Sequence, residues 1–309
     1  MTKKKIICIV GPTGVGKTSI SLELAKMFNG EIISADSMQI YRAMDIGTAK
    51  IKPTEMKGIK HHLIDIVDPT ETFSVAEWKN LAEQKIEEIS NRGKVPFIVG
   101  GTGLYINALV NNYKFYNIER NQETTLKYEQ ILSEQGVEKL YSMLQEKDQE
   151  FARTVDPKKS RAIIRYLEIL DAGEVDLKIK DEENNFDYCL IGLTAEREKL
   201  YANINERVDK MFTDGLEEEV KNLVKTFGLN QSMQSANAIG YREFWGYLNG
   251  ETTKDEMISL IKQHSRNYAK RQLTFMRTMK NLEWYERSDE EKIKARVDEF
   301  LNDLTKQVH

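Results

Sequence analysis

A chain of 309 residues, 40% apolar and 30% charged, has room for one large domain with an insertion or for two domains, and its composition is that of an ordinary soluble protein. A net charge of −4 excludes attraction of nucleic acid by the molecule as a whole, so any such binding needs a local basic face. No stretch approaches membrane-spanning length, too few apolar residues follow the N-terminal lysines for a signal peptide, and Cys8 and Cys189 sit inside apolar runs, as buried thiols of a reducing cytosol would.

Residues 6–10 form a compact apolar run that predicts a buried strand. Gly11-Pro12-Thr13-Gly14-Val15-Gly16-Lys17-Thr18 follows, and a helical pattern begins at Ser19. Strand, glycine-rich loop and helix are the context of a phosphate-binding P-loop. The glycines let backbone amides turn in around phosphate oxygens, and the helix adds its positive end. Lys17 supplies a point charge, and the Thr18 hydroxyl can hold Mg2+. The loop names a ligand class, phosphate chains, and no reaction.

Residues 30–35 predict a second strand, which ends at Asp36-Ser37-Met38-Gln39. An acid just past a strand's C-terminal end faces the crevice where open α/β sheets bind ligands. A helix N-cap is the other use of an Asp there, and position does not choose between them. Residues 40–50 lack a period and read as a loop or short helix over the pocket. His61-His62 opens another candidate strand. Neighbouring residues point apart, so the two cannot readily share a metal ion, and they read as structural or substrate-facing.

Residues 73–89 have helical spacing, and 94–99 predict a third buried strand running into Gly100-Gly101-Thr102-Gly103. Many P-loop NTPases carry an acid at that strand end to steady magnesium and its water. Glycines and a threonine there argue against a motor or switch NTPase. They offer free amides and one hydroxyl to the same crevice.

From about residue 117 the strands give way to polar helical patterns at 123–135, 137–146, 148–154 and 160–170. In the last, Arg161-Ala162-Ile163-Ile164-Arg165 sets two arginines four apart on one helix face, fit either for phosphate or for pairing with Glu168. Residues 178–185 read as a charged linker, 186–193 restore a core strand, and the chain reads as helical from Glu196 to its end. The organisation expected is a core (1–116), a helical insertion (117–185) and a returning core (186–309). The helix predicted at 255–279 carries an apolar stripe, Ile258, Ile261, Tyr268, Phe275 and Met279, expected to face the core. Lys262, Arg266, Lys270 and Arg277 fall on the other side, with no acid between Lys262 and Lys280. That is a basic ridge suited to a polyanion backbone.

These motifs in this order resemble the bacterial tRNA dimethylallyltransferases, also called tRNA isopentenyltransferases. The resemblance rests on the P-loop, on residues 36–50 with their Asp-Ser-Met-Gln-Ile-Tyr and Asp-Ile-Gly-Thr-Ala-Lys blocks, on residues 62–69, and on Gly100-Gly-Thr-Gly-Leu-Tyr105. Arg161-Ala-Ile-Ile-Arg-Tyr-Leu-Glu168, Ala238-Ile-Gly-Tyr-Arg242 and Ala269-Lys-Arg-Gln-Leu-Thr274 extend it over most of the chain. It implies an α/β fold, a P-loop NTPase-like parallel sheet flanked by helices, with a mainly helical insertion domain. It implies transfer of a dimethylallyl group from dimethylallyl diphosphate to the exocyclic amine of the adenosine 3′ of the anticodon, in tRNAs reading codons that begin with U. It implies too a requirement for magnesium and a tRNA anticodon arm seated between core and insertion.

Residue by residue, Asp36 matches the family's proposed base, Thr102 a threonine beside the reacting centre, and Arg207 an arginine near the diphosphate. Residues 11–18, with Lys17, match the diphosphate cradle. Asp36, Ser37, Met38 and Gln39, and residues 161–165, match tRNA-contacting segments. Two positions depart: Ala162 stands where an arginine is frequent, and Gly103 where a larger residue is, which puts pocket width in question. A cytoplasmic monomer without membrane contact is expected. The alternatives are a small-molecule or nucleoside kinase on the same core, a transferase acting on free adenine nucleotides, and a non-catalytic RNA-binding module.

Overall fold

Every residue from Ile6 to Val10 is buried, and strand alternation sends Ile6, Cys8 and Val10 to one core and Ile7 and Ile9 to another. A strand apolar on both faces belongs inside a parallel sheet covered by helices. In the computed structural model, which describes residues 3–113, 115, 121–153, 155–173, 184 and 186–303, that is its place. The strands are β1 (Lys4–Val10), β2 (Gly30–Ser34), β3 (His61–His62), β4 (Val95–Gly100), β5 (Phe186–Thr194) and β6 (Glu283–Glu286). They form one sheet in the order β3-β2-β4-β1-β5-β6, with every pairing parallel. β1 pairs with both β4 and β5, so Val10 stands opposite Gly100 on one side and Gly192 on the other.

The helices are α1 (Lys17–Met27), α2 (Val75–Asn91), α3 (Gly103–Val110), α4 (Gln122–Lys147), α5 (Gln149–Ala152), α6 (Ser160–Asp171), α7 (Arg197–Thr213), α8 (Leu216–Phe227), α9 (Phe244–Leu248), α10 (Lys254–Met276) and α11 (Glu290–Asn302). On the Ile7/Ile9 face lie Ile20 and Leu24 of α1, Leu200 and Ile204 of α7, and Ile293 and Val297 of α11. On the other face lie Trp78 and Ile86 of α2, Ile106 of α3, Val220 of α8 and Ile261 of α10. Ser74 and Glu77 form a reciprocal capping box, so α2 starts after Phe73.

The chain divides into two compact units, residues 1–113 with 184–309, and residues 114–183. The second unit has its own core, in which Tyr128, Leu140 and Leu144 of α4 meet Ile163, Ile164 and Leu167 of α6. As the patterns at 123–135 and 137–146 predict, α4 is two helical stretches that meet at a kink at Gly136, whose φ of 81° is not helical. Ile163 and Ile164, carried with the family's tRNA-contacting segment, are buried; their side chains hold α6 in its unit and are not surface contacts. Arg165 donates to Glu168 at 3.1 Å, while Arg161 is exposed. The linker expected at 178–185 lies outside the described residues except for Asn184, and so do the boundary residues 116 and 117.

The expectation of helix from Glu196 to the end is corrected by β6, which pairs with β5 from Ile191 opposite Glu283 to Thr194 opposite Glu286. Four residues at a sheet edge are too few for a visible alternation. What seats them is distant in sequence: the Trp284 ring lies against Gly192, where a Cβ would stand 2.9 Å from it.

At the opposite end of the sheet from the P-loop, buried Glu31 accepts from His62 Nε2 at 2.7 Å and pairs with Arg92 at 2.7 Å and Lys94 at 3.0 Å. Burial pushes the Glu31 carboxyl up, but the three donors outweigh it and hold it at about 2. His61 bonds the Ile59 carbonyl at 2.9 Å, so both histidines are structural. A depressed carboxyl contributes stability above its unfolded value of 4.5 and loses it as pH falls towards 2. Glu31→Gln is therefore expected to lower the urea midpoint at neutral pH, with the gap from wild type closing as the pH is taken down through that window.

Candidate active site

The loop between β1 and α1 turns through Gly14 and Gly16, with φ of 80° and 95°, a region that side chains disfavour. Gly16 caps α1 without a side-chain hydrogen bond, and the first turn of α1 holds no acid. The helix's positive end is thus left open to an outside anion. Lys17 Nζ lies back on the loop, donating to the Gly11 and Pro12 carbonyls at 2.9 and 2.8 Å. Arg207 of α7 donates to Thr13 Oγ1 at 3.0 Å and to the Thr48 carbonyl at 3.4 Å. Burial, and after it the Arg207 charge, bring Lys17 down to about 8, with Asp36 opposing. Burial likewise lowers Arg207, and Asp36 opposes it too. Two cations and one carboxylate therefore share one electrostatic environment.

Asp36 follows the last residues of β2. Its Oδ1 accepts from Met38 N at 2.9 Å, which closes a turn; no helix follows, so it is not a helix cap. Thr102 Oγ1 accepts from Ser37 N at 3.0 Å, and Thr102 N donates to the Ala35 carbonyl at 3.1 Å. The turn carrying Asp36 is thereby fixed to the turn after β4. Residues 40–50 form successive turns and no helix. Lys50 is buried, with Nζ 2.8 Å from the Tyr41 carbonyl, 2.6 Å from Asp45 and 2.5 Å from Asp65. Glu219 of α8 accepts from the amides of Asp45, Ile46 and Gly47 at 3.0, 2.7 and 3.1 Å and from the Tyr241 hydroxyl at 2.6 Å. Three adjacent amides on one carboxylate hold the whole loop.

A cavity of about 680 Å³ opens among these parts. Thr13, Lys17, Thr18, Asp36 and Arg207 give it a polar lining, and Ile204, Val208, Met211, Ile239 and Ile261 an apolar one. Ser37, Met38 and Gln39 also line it. The P-loop, the Asp36 turn and Arg207, far apart in sequence, are thus brought to one space. Residues 161–165 belong to the second unit.

The apolar stripe expected along α10 holds at Ile258 and Ile261, and at Met279 just past its end, which pack in the core; it fails at Phe275. The buried residues of α10 are Met257, Ile261, Ala269, Gln272 and Met276; Phe275 is 36% exposed. The Phe275 ring sits over Gly103, where a Cβ would meet it at 2.3 Å. Gly103 makes room for that ring and does not line the cavity. Of the basic ridge, Lys262 pairs with Asp209 at 2.6 Å and Arg266 donates to Asn205 at 2.6 Å, both on α7. Lys270 and Arg277 are exposed. The ridge is acid-free only along its own helix; the neighbouring helix supplies the partners.

A profile of the IPP transferase family matches residues 39–279. The tRNA dimethylallyltransferase of Geobacillus thermodenitrificans is 46% identical over 302 residues, 96% of this chain and 95% of its own length. That of Halalkalibacterium halodurans is 46% identical over 93% of this chain and 92% of its own length. The chain belongs to the IPP transferase family. Among solved structures, the tRNA isopentenylpyrophosphate transferase of Bacillus halodurans superposes with a TM-score of 0.75 at 42% identity, covering 99% of both chains. A eukaryotic dimethylallyltransferase acting on tRNA gives 0.77 at 29% identity, over 96% of this chain and 79% of its own.

Within this IPP transferase, sequence reading passed over Glu219, Arg242, Tyr268, Arg271 and Gln272. The last four line the cavity. Gln272 lies in the Ala269–Thr274 motif and Arg242 in the 238–242 motif, so the motifs held the signal, but which side chain faces the cavity is set by helix phase. For the cradle itself, Lys17 is charged below about pH 8 and neutral above it. Its share of anion binding is expected to fade as pH rises through that value. Titration calorimetry with inorganic diphosphate should show wild type binding more tightly than Lys17→Met at neutral pH, the gap closing at alkaline pH.

Proposed function

We infer that this chain transfers a dimethylallyl group from dimethylallyl diphosphate to the exocyclic amine of the adenosine on the 3′ side of the anticodon, in tRNAs reading codons that begin with U. The observation that carries the reading is the shared cavity: a phosphate cradle with Lys17 and Arg207, and Asp36 held at its wall. Against a kinase on the same core stands the end of β4, where glycines replace the acid that steadies magnesium in many P-loop NTPases. An alkyl transfer to a weak nitrogen nucleophile uses the Asp36 carboxylate as its base.

In the reaction the amine's lone pair forms a bond to the first carbon of the allyl group. The carbon–oxygen bond breaks and its electron pair leaves on the diphosphate. The amine proton passes to the Asp36 carboxylate, a general base whose Oδ1 is already oriented by Met38 N. Lys17, Arg207 and the loop amides face the oxygens on which charge develops. Thr102 keeps the Asp36 turn in place through Ser37 N. The adenine must leave its stack to reach this wall, as in other base-modifying enzymes. Ser37, Met38 and Gln39 are proposed to meet the extruded nucleotide, and Arg161 and Arg165 to meet the tRNA from the second unit.

Among the described residues no group of three or more His, Cys, Asp or Glu side chains could hold a metal. The exposed Thr18 hydroxyl fits a magnesium ion that arrives on the diphosphate, since such ions keep phosphate and water oxygens and take few protein ligands. When bound it would neutralise charge on the leaving group.

Incubation with labelled dimethylallyl diphosphate, magnesium and unmodified tRNA, with free AMP and ATP as controls, tests the whole reading; label is expected in tRNA only. Asp36→Ala should keep tRNA affinity and lower turnover by about two to four powers of ten. Unchanged turnover would remove Asp36 as the base. Lys270→Glu with Arg277→Glu should weaken tRNA binding and reduce the slope of log affinity on log salt by about two, one for each phosphate that the protein no longer neutralises. Affinity measured by filter binding over a salt series decides this.

A further inference from the structure

α10 meets the turn after β4 residue by residue. Gln272 bonds Gly101, and Phe275 covers Gly103. A spacing of three puts these two side chains on one helix face. Gln272 alone reaches further. Its Oε1 accepts from the P-loop amide of Thr13 at 3.0 Å, and its Nε2 donates to the Gly101 carbonyl at 2.9 Å. One buried carboxamide thus ties the loop after β1 to the loop after β4. Among side chains of this length, only glutamine offers an acceptor and a donor on one rigid plane.

Gly101 belongs to the same device. A Cβ there would stand 2.2 Å from Gln272 Nε2, so any side chain at 101 displaces the amide. Thr13 is the node on the other side. Its amide is held by Gln272 and its hydroxyl receives Arg207. Releasing Thr13 therefore loosens the arginine as well as the loop.

We propose that Gln272 is a positioning residue for the diphosphate substrate, fixing the Thr13 and Arg207 side of the cradle in its binding shape. Holding a loop in its bound form lowers the ordering cost of binding, so the effect falls on diphosphate affinity. The assignment rests on the reading of this chain as a dimethylallyl diphosphate-dependent transferase.

Three variants test it. Gln272→Glu keeps the length and the acceptor for Thr13 N, loses the donor to Gly101 and adds a negative charge beside the cradle. Gln272→Met keeps the length and loses both hydrogen bonds. Gly101→Ala displaces the amide from the other side, and so keeps the proposal testable where a Gln272 variant fails to fold. The readouts are KM for dimethylallyl diphosphate, KM for tRNA, a calorimetric isotherm for inorganic diphosphate with magnesium, and thermal unfolding.

Expected is a rise of about tenfold in the diphosphate KM and Kd, roughly one hydrogen bond's worth, larger for Glu than for Met, with the tRNA KM nearly unchanged. Gly101→Ala should do the same. In a fourth variant, Gln272→Ala, the shortened side chain leaves space for the methyl, so Gly101→Ala added to it should cost little more. Unchanged diphosphate affinity, or equal rises in both KM values, would overturn the proposal. The isotherm needs no turnover. It decides the assignment even if wild-type protein puts no label into tRNA, an outcome that would remove the functional reading alone.

Discussion

The site depends on the parallel register of β1 with both its neighbours. Because β1, β4 and β5 run the same way, their C-terminal ends meet at one edge, with Val10 abreast of Gly100 and Gly192. Loops that leave one edge of a parallel sheet can share a crevice. The P-loop leaves β1, the glycine-threonine turn leaves β4, and the Asp36 turn leaves β2 next to it. An antiparallel neighbour would have sent one of these loops to the other end of the sheet. Burial on both faces ties β1 into two cores at once, through Ile6, Cys8 and Val10 on one side and Ile7 and Ile9 on the other.

On that edge the charges are arranged against their own preference. Lys17 and Arg207 repel each other and are both desolvated. Asp36 is the counter-charge that acts on both. The arrangement is an anion site assembled in advance: Lys17 rests on loop carbonyls, and Arg207 on Thr13. A diphosphate would replace these weak partners with oxygens of full charge. In the proposed transfer, the charge gained by the leaving diphosphate would fall where the cations already are. Asp36 would serve the same event from the other side, as the acceptor of the amine proton in that transfer.

What was legible in the sequence was what is local. Ile6 to Thr18 contains a strand, a loop and a helix start within a dozen residues, and Asp36 follows its strand directly. What was not legible joins distant segments. Gln272 reaches Thr13 across 259 residues, and Glu219 reaches Gly47 across 172. β6 exists because Trp284 fits over Gly192. The partners of Lys262 and Arg266 were hidden for the same reason: the absence of acids along α10 says nothing of Asp209 and Asn205 on α7. In residues 161–165 the motif ran together two roles that burial separates. Arg161 faces solvent, while Ile163 and Ile164 anchor the helix that carries it.

The absence of an acid at the end of β4 now has a structural complement. Where a nucleotide hydrolase holds a carboxylate to steady magnesium and its attacking water, this chain has a bare Gly101 and an amide side chain filling the space. An acid there would set a negative charge beside the diphosphate and displace Gln272. Without one, no carboxylate at that strand end is placed to activate water for attack on phosphorus. The carboxylate that the site does have, Asp36, stands at the end of a different strand, fixed through Ser37 and Thr102. In the proposed reading, the same phosphate grip would release a whole diphosphate from carbon in place of cutting between phosphates.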